Sequence, residues 1–204
     1  MSNPFNNPDN PEDEPLPPAR TPSIEKIVFP DIPPDMDRFN GKMVHFERWA
    51  NAQDDPTALL SVIMFASHAH LRQLDKGGDP YLWHVLRVGI SLLPDVDAAI
   101  LGLLHDVRED TTASEQEILA ALGDRSWLYP VLGALTRYDQ PYNQYIRACA
   151  AHPIAARVKI ADLRDNLDPL RLDKVGHRFG AKKAFALQQK YRNALKFLLG
   201  NGDF

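Results

Sequence analysis

Residues 98–110 read Ala98-Ala99-Ile100-Leu101-Gly102-Leu103-Leu104-His105-Asp106-Val107-Arg108-Glu109-Asp110. A run of small and apolar residues ends abruptly in His105, Asp106, Glu109 and Asp110, all within six positions. The spacing of Ile100, Leu101, Leu104 and Val107 predicts a helix that starts near Asp95 or Asp97. An aspartate at the end of so apolar a run is expensive to bury alone, and a bound cation or a hydrogen-bond network relieves the cost. If the helix continues, spacings of four place His105 beside Glu109 and Asp106 beside Asp110. Several charges held that close repel one another, and a metal ion is the simplest thing that makes them favourable. The plain alternative is a solvated helix end with local salt bridges to Arg108.

Helical spacing extends in both directions. Upstream, Asp55-Pro56 is a helix start, with a capping carboxylate before a proline that fixes the first turn. Leu59, Ile63, Ala66 and His70 carry that helix to near Leu74. Lys76-Gly77-Gly78-Asp79 reads as a turn, and Asp79-Pro80 repeats the start signal for a helix bearing Leu82, Val85, Leu86 and Ile90 that stops before Pro94. Downstream, Ser114 and Glu117 form a capping-box pattern, and Gly123 closes that helix. Further helices are expected over 125–137, 141–151 and 153–167, with Pro169 marking the exit from the last. A final helix over about 181–199 has Ala184, Leu195 and Leu198 on its apolar stripe and Gly200 as its C-terminal cap. Strand-like alternation is almost absent, so the fold class is an all-α bundle. Met64, Phe65, Trp83, Trp127, Tyr129, Phe185, Tyr191 and Phe197 sit in apolar patterns and are expected to pack in the core.

With 204 residues and 44% hydrophobic content, the chain suits one well-buried core. The first 34 residues hold ten of the seventeen prolines. Residues 1–35 therefore read as a proline-rich, flexible tail, and 36–204 as the helical domain. A formal charge of −4, with both signs interspersed, offers no basic face for nucleic acid. Cys149 is the only cysteine, which excludes an internal disulfide and agrees with a reducing, cytoplasmic location. No apolar run is long enough for a membrane span. Apolar residues at the end of the tail leave a homo-oligomer open, since a chain can cover a partner's surface as easily as its own.

Two polar residues stand out beyond the central cluster. His84 follows the Pro80-Tyr81 turn, and Asp162 interrupts the apolar surroundings of Val158-Lys159-Ile160-Ala161, where an unpaired aspartate is least expected. Together His84, His105, Asp106 and Asp162 offer two nitrogen and two carboxylate ligands. That mixture suits Mn²⁺ first, with Fe²⁺ or Zn²⁺ as alternatives, and leaves positions open for water and substrate. Among the cations, Lys76 at the turn before His84 and Arg87 three residues after it lead as holders of phosphate oxygens, followed by Arg108, Lys159 and Arg164.

These strings resemble the HD superfamily of metal-dependent phosphohydrolases, and most closely its ppGpp (RelA/SpoT-type) hydrolase domains. The resemblance runs from Phe65-Ala66 through Ala69-His70 and Gln73 to Lys76-Gly77-Gly78-Asp79-Pro80-Tyr81-Leu82-Trp83-His84. It continues over Leu103 to Thr111 and over Val158 to Asn166. It implies that His84, His105, Asp106 and Asp162 bind the metal, that Glu109 and Asp110 act near the attacking water, and that Asn166 contacts the nucleotide. It further implies a cut at the 3′-pyrophosphate of a small guanosine nucleotide, with release of pyrophosphate.

Three positions depart from the family pattern. Asp75 stands where an arginine packs on the guanine base, so a stacking cation has become a carboxylate expected to repel substrate phosphates. Val85 replaces the usual proline after the metal histidine. Arg164 falls one place later than the arginine of the usual Asp-Arg pair. Position 75 keeps two rival readings open: an HD phosphohydrolase for another nucleotide or phosphate ester, and an inactive module that binds a nucleotide or a protein.

Overall fold

The computed structural model describes residues 56–202 of the chain. The expected tail over 1–35, and the start of the 36–204 domain as far as residue 55, lie outside the described residues. The described residues from 57 onward belong to one compact unit.

Helix starts follow the local chemistry. α1 spans Pro56–Ala69 and α2 spans Tyr81–Ser91. α3 covers Val96–Leu104, with the Asp95 carboxylate accepting from the Ala98 amide. α4 is the short Val107–Asp110, and α5 spans Glu115–Leu122 behind the complete Ser114/Glu117 capping box. A 3₁₀ segment, Gly123–Leu128, leads into α6 (Tyr129–Leu135), α7 (Tyr142–Ala150) and α8 (Pro153–Asn166). α9 (Pro169–Phe179) and α10 (Ala181–Leu198) complete the order. Among the described residues no strand forms, and an isolated bridge pairs Leu74 with Pro80.

The structure corrects three expectations about these elements. α1 ends at Ala69 rather than near Leu74, because Arg72 takes a left-handed φ of 67° and the Tyr81 amide donates to the Gln73 carbonyl. α3 stops at Leu104 instead of running through Val107. The His105 ring hydrogen-bonds the Gly102 carbonyl, the acceptor that the Asp106 amide would use in a continuing helix. Pro169 ends one helix but also begins another, α9. Asp168 caps it, accepting from the amides of Leu170 at 2.8 Å and Arg171 at 3.2 Å. The Asp-Pro start signal is thus used again at 168–169.

α8 lies centrally, packed against α2, α3, α6, α7 and α10. The most extensive helix pair is α2 with α3. Two glycines let these backbones approach: a Cβ on Gly102 would lie 3.0 Å from the Gly89 Cα, and one on Gly89 would lie 2.7 Å from the Leu103 Cγ. Val85, Leu101, Leu104, Val158 and Leu163 are wholly buried around this junction. The core is mainly aliphatic. Met64, Trp83, Trp127 and Phe185, expected inside, are exposed, whereas Tyr191 is buried. Helical spacing identifies a stripe, but neighbouring elements decide how much of it they cover.

Candidate metal centre

The α2–α3–α8 junction gathers polar groups at one buried point. α2 supplies His84 in its first turn, the α3–α4 break supplies His105 and Asp106, and the end of α8 supplies Asp162. His84, His105 and Asp162 are only 2%, 2% and 3% exposed, so their polarity must be satisfied within the protein. One ligand atom from each lies within 4.8 Å of the others. The His84 Nε2 is 3.3 Å from Asp162 Oδ1 and 3.6 Å from Asp106 Oδ2. The His105 Nε2 is 2.8 Å from Asp106 Oδ2 and 3.7 Å from Asp162 Oδ1.

The far side of each ring determines what the near side offers. His105 Nδ1 lies 2.8 Å from the Gly102 carbonyl, which can only accept, so the proton sits on Nδ1. His84 Nδ1 lies 2.7 Å from Asp165 Oδ2, which sets the same tautomer. The Arg171 Nη1 also approaches His84 Nδ1, at 2.9 Å, but both are donors and share the Asp165 carboxylate as acceptor. Both Nε2 lone pairs then face the cluster. Buried His105 Nε2 has no hydrogen bond of good geometry, even though Asp106 Oδ2 is close. Two imidazole nitrogens and the Asp162 carboxylate within 4.8 Å of one another, each ring fixed from behind, fit a divalent cation, and Asp106 lies beside the two rings.

A cation at this point competes with a proton. Burial alone would lower the His84 pKa, but Asp106, Asp162 and Asp165 outweigh it and push it up to about 9, so metal binding must displace the proton that these carboxylates hold on the ring. Burial would likewise raise both carboxyls. His105 and His84 hold Asp106 well below the usual carboxylate range, and Lys159 with the histidines does the same for Asp162. Lys159, expected as a phosphate holder, pairs with Asp162 Oδ2 at 2.7 Å.

At the rim, the Glu109 side chain is anchored by the Arg137 amide, which donates to Oε2 at 2.9 Å. Solvent reaches Glu109, yet the surrounding protein and the nearby Asp106 and Asp110 push its carboxyl up to about 7, against the lowering by that amide. Asp110 is raised by burial first and by Asp106 second. Lys76 lies near enough for its charge to oppose that rise.

The remaining expected substrate contacts are placed differently from one another. Asn166 donates to Asp162 Oδ1 at 2.5 Å. Arg87 grips Asp165 through Nε at 2.5 Å and Nη2 at 3.1 Å. Arg164 is exposed and lies two residues past Asp162, toward the opposite side of α8. Asp75, expected to face and repel phosphates, is instead buried against Arg171 at 3.1 Å. Tyr81, Asp165 and Arg171 are contact residues that the sequence reading did not single out. Asp165 could have been found from its place one turn after Asp162. Arg171 carries no sequence signal as long as Pro169 reads only as a helix exit.

No protein-family model matches the chain. Over 118 residues it is 30% identical to the guanosine-3′,5′-bis(diphosphate) 3′-pyrophosphohydrolase of Aquifex aeolicus, covering 52% of this chain and 17% of that protein. It is 35% identical over 90 residues to the enzyme of the same name from Borreliella burgdorferi, covering 43% and 13% respectively. A GTP pyrophosphokinase of Myxococcus xanthus is 43% identical over 63 residues, covering 29% and 8%. The chain thus spans less than a fifth of the length of these relatives. A solved metazoan ortholog of SpoT, described as hydrolysing ppGpp, shares the fold with a TM-score of 0.50 and 21% identity, covering 73% of this chain and 97% of that one. The fold is that of an all-α helical domain, shared with the SpoT ortholog. Within that class the chain is similar to ppGpp 3′-pyrophosphohydrolases of the SpoT type, the likeness its motifs carry.

Proposed function

We propose that this chain is a metal-dependent phosphohydrolase that removes pyrophosphate from the 3′ position of a ppGpp-type guanosine nucleotide. The observation that carries the reading is the meeting of His84, His105 and Asp162 at one buried point, with Asp106 beside the two rings and Glu109 and Asp110 at the rim. The names of the sequence relatives support the choice of substrate. His84, His105, Asp106 and Asp162 would hold a divalent cation, Mn²⁺ first and Fe²⁺ or Zn²⁺ next, which when bound would supply Lewis acidity to the phosphoryl group and lower the pKa of the attacking water. Glu109, with a pKa near neutrality, orients that water and accepts its proton. Asp110 shares this task through its bond to Tyr81. Lys76 and Arg87 donate to phosphate oxygens and Asn166 contacts the nucleotide, whereas Arg164, on the opposite side of α8 from Asp162, takes no part.

Position 75 favours a second reading, an HD phosphohydrolase for another nucleotide. With Asp75 turned inward onto Arg171, that position presents no cation to a guanine base. The deciding experiment incubates the Mn²⁺-loaded protein with ppGpp, pppGpp, mononucleotides, cyclic nucleotides and NADPH, resolving phosphate from pyrophosphate. Pyrophosphate from ppGpp, abolished by Asp106→Ala, is expected. Turnover of another compound with none of ppGpp selects the second reading, and inertness toward all of them selects a binding module.

A further inference from the structure

Behind the metal centre, a chain of ionic contacts connects the 75–79 turn to a metal ligand. Asp165 Oδ2 accepts from His84 Nδ1 at 2.7 Å and from Arg171 Nη1. The other arm of the same guanidinium, Nη2, donates to Asp75 Oδ2 at 3.1 Å. Asp75 is only 4% exposed and Arg171 15%, so water competes weakly for this pair. Arg87 also grips Asp165, but at 49% exposure its hold is screened.

The turn itself fixes Asp75. Its Oδ1 accepts from the Asp79 amide at 3.0 Å, its amide donates to the Asp79 carbonyl at 2.8 Å, and its carbonyl accepts from the Gly78 amide at 2.9 Å. α9 clasps the turn from outside, Lys174 pairing with Asp79 and Arg178 donating to the Asp75 carbonyl at 3.4 Å. The turn packs closely there, since a Cβ on Gly77 would lie 3.1 Å from the Lys174 Cβ.

We propose that Asp75 and Arg171 are positioning residues for the metal centre: their buried pair fixes Asp165, which orients the His84 ring so that Nε2 faces the other ligands. The carboxylate at 75 is then a counter-ion built into the scaffold and not a substrate contact. The inference rests on the reading of His84 as a metal ligand and is independent of the substrate. An acceptor behind a ligating histidine fixes both its tautomer and its direction, and loss of such outer groups typically weakens metal binding about 10- to 100-fold. Because both residues act through Asp165, their effects should not add.

The test measures the Mn²⁺ dissociation constant of the full chain by equilibrium dialysis, and follows the His84 ring by long-range ¹H–¹⁵N NMR in metal-free protein. Arg171→Met is expected to weaken Mn²⁺ binding about 10- to 100-fold, with Arg171→Lys intermediate. Asp75→Asn should weaken it less, and the double variant Asp75→Asn/Arg171→Met no more than Arg171→Met alone. Loss of the Nδ1-bonded proton signal of His84 should accompany each weakened variant. Unchanged Mn²⁺ affinity and an unchanged His84 signal in folded Asp75→Asn and Arg171→Lys would overturn the proposal, and these mild variants decide it even if Arg171→Met does not fold. If Asp75→Asn shifts only the nucleotide KM at saturating Mn²⁺, position 75 contacts substrate and the proposal fails. If wild-type protein binds no Mn²⁺, the metal reading fails instead, and the NMR signal alone still shows whether Arg171 orients the ring.

Discussion

The Tyr81 hydroxyl lies 2.6 Å from Asp106 Oδ2 and 2.9 Å from Asp110 Oδ2, joining a proposed metal ligand to the proposed water-handling pair. Burial and then the two carboxylates push the phenol pKa well up, so Tyr81 keeps its proton. One phenolic proton serves one carboxylate at a time. Tyr81→Phe removes that bond while keeping the ring stacked near His70. A hydrogen bond to a charged group is worth about 1.5–3 kcal/mol, so kcat should fall roughly 10-fold or more with helicity unchanged. Wild-type kcat at saturating Mn²⁺ in this variant would remove Tyr81 from the site.

Asp162 should be indispensable for metal. The purified protein is expected to hold one equivalent of Mn²⁺ or a similar ion per chain, and Asp162→Ala to hold almost none by elemental analysis. The alanine also strands the buried ammonium of Lys159, a loss of roughly 3–5 kcal/mol for a broken buried pair. Asp162→Asn keeps the shape and separates the two effects. Full occupancy in a folded Asp162→Asn protein would refute the ligand set.

Glu109 links activity to pH. Its folded pKa, about 7, is raised above the ordinary glutamate value, so the carboxylate needed as a base forms only as pH rises toward 7. A bound cation lowers that value, which places the acidic limb of kcat/KM at or below about 7. Glu109→Gln should retain metal and fold, lose most activity and show no such limb. The shift also has a stability sign. Folded protein binds this proton more tightly than unfolded protein does, so stability is lost as pH climbs through the interval up to about 7. Glu109→Gln should therefore raise the melting temperature above neutral pH, and a lowered one would contradict the assigned shift.

The α2–α3 approach should tolerate no added side chain at Gly102. Its Cβ would meet the Leu92 side chain at 2.8 Å and the Gly89 backbone at 3.0 Å, and backbone cannot swing aside. Gly102→Ala is expected to cost about 1–3 kcal/mol in urea unfolding and to loosen Mn²⁺ binding, since the same two helices carry His84 and His105. Gly180→Ala tests backbone conformation without a packing clash, because no atom lies within 4 Å of its Cβ position although its φ is 92°. A neutral Gly102→Ala would show that the close approach is dispensable.

The sequence by itself determined the helical class, the Ser114/Glu117 cap, and the polar residues His84, His105 and Asp162 that the fold brings together. Those signals are local: apolar periodicity and capping act within one or two turns, and an aspartate in an apolar run stands out wherever the chain folds. Only the tertiary structure decided what stands behind each ligand. His84 finds Asp165 across 81 positions and Arg171 finds Asp75 across 96, pairings that depend on which helix faces pack together. Asp75 shows the difference most clearly. By the family likeness it reads as a charge facing substrate, but α9 covers it and supplies Arg171, and burial turns the same carboxylate into a counter-ion. The break at Asp106 was hidden for the same reason. Helical spacing runs smoothly through it, while the bond from the His105 ring to the Gly102 carbonyl exists only once that ring is aimed at ligands from two other helices.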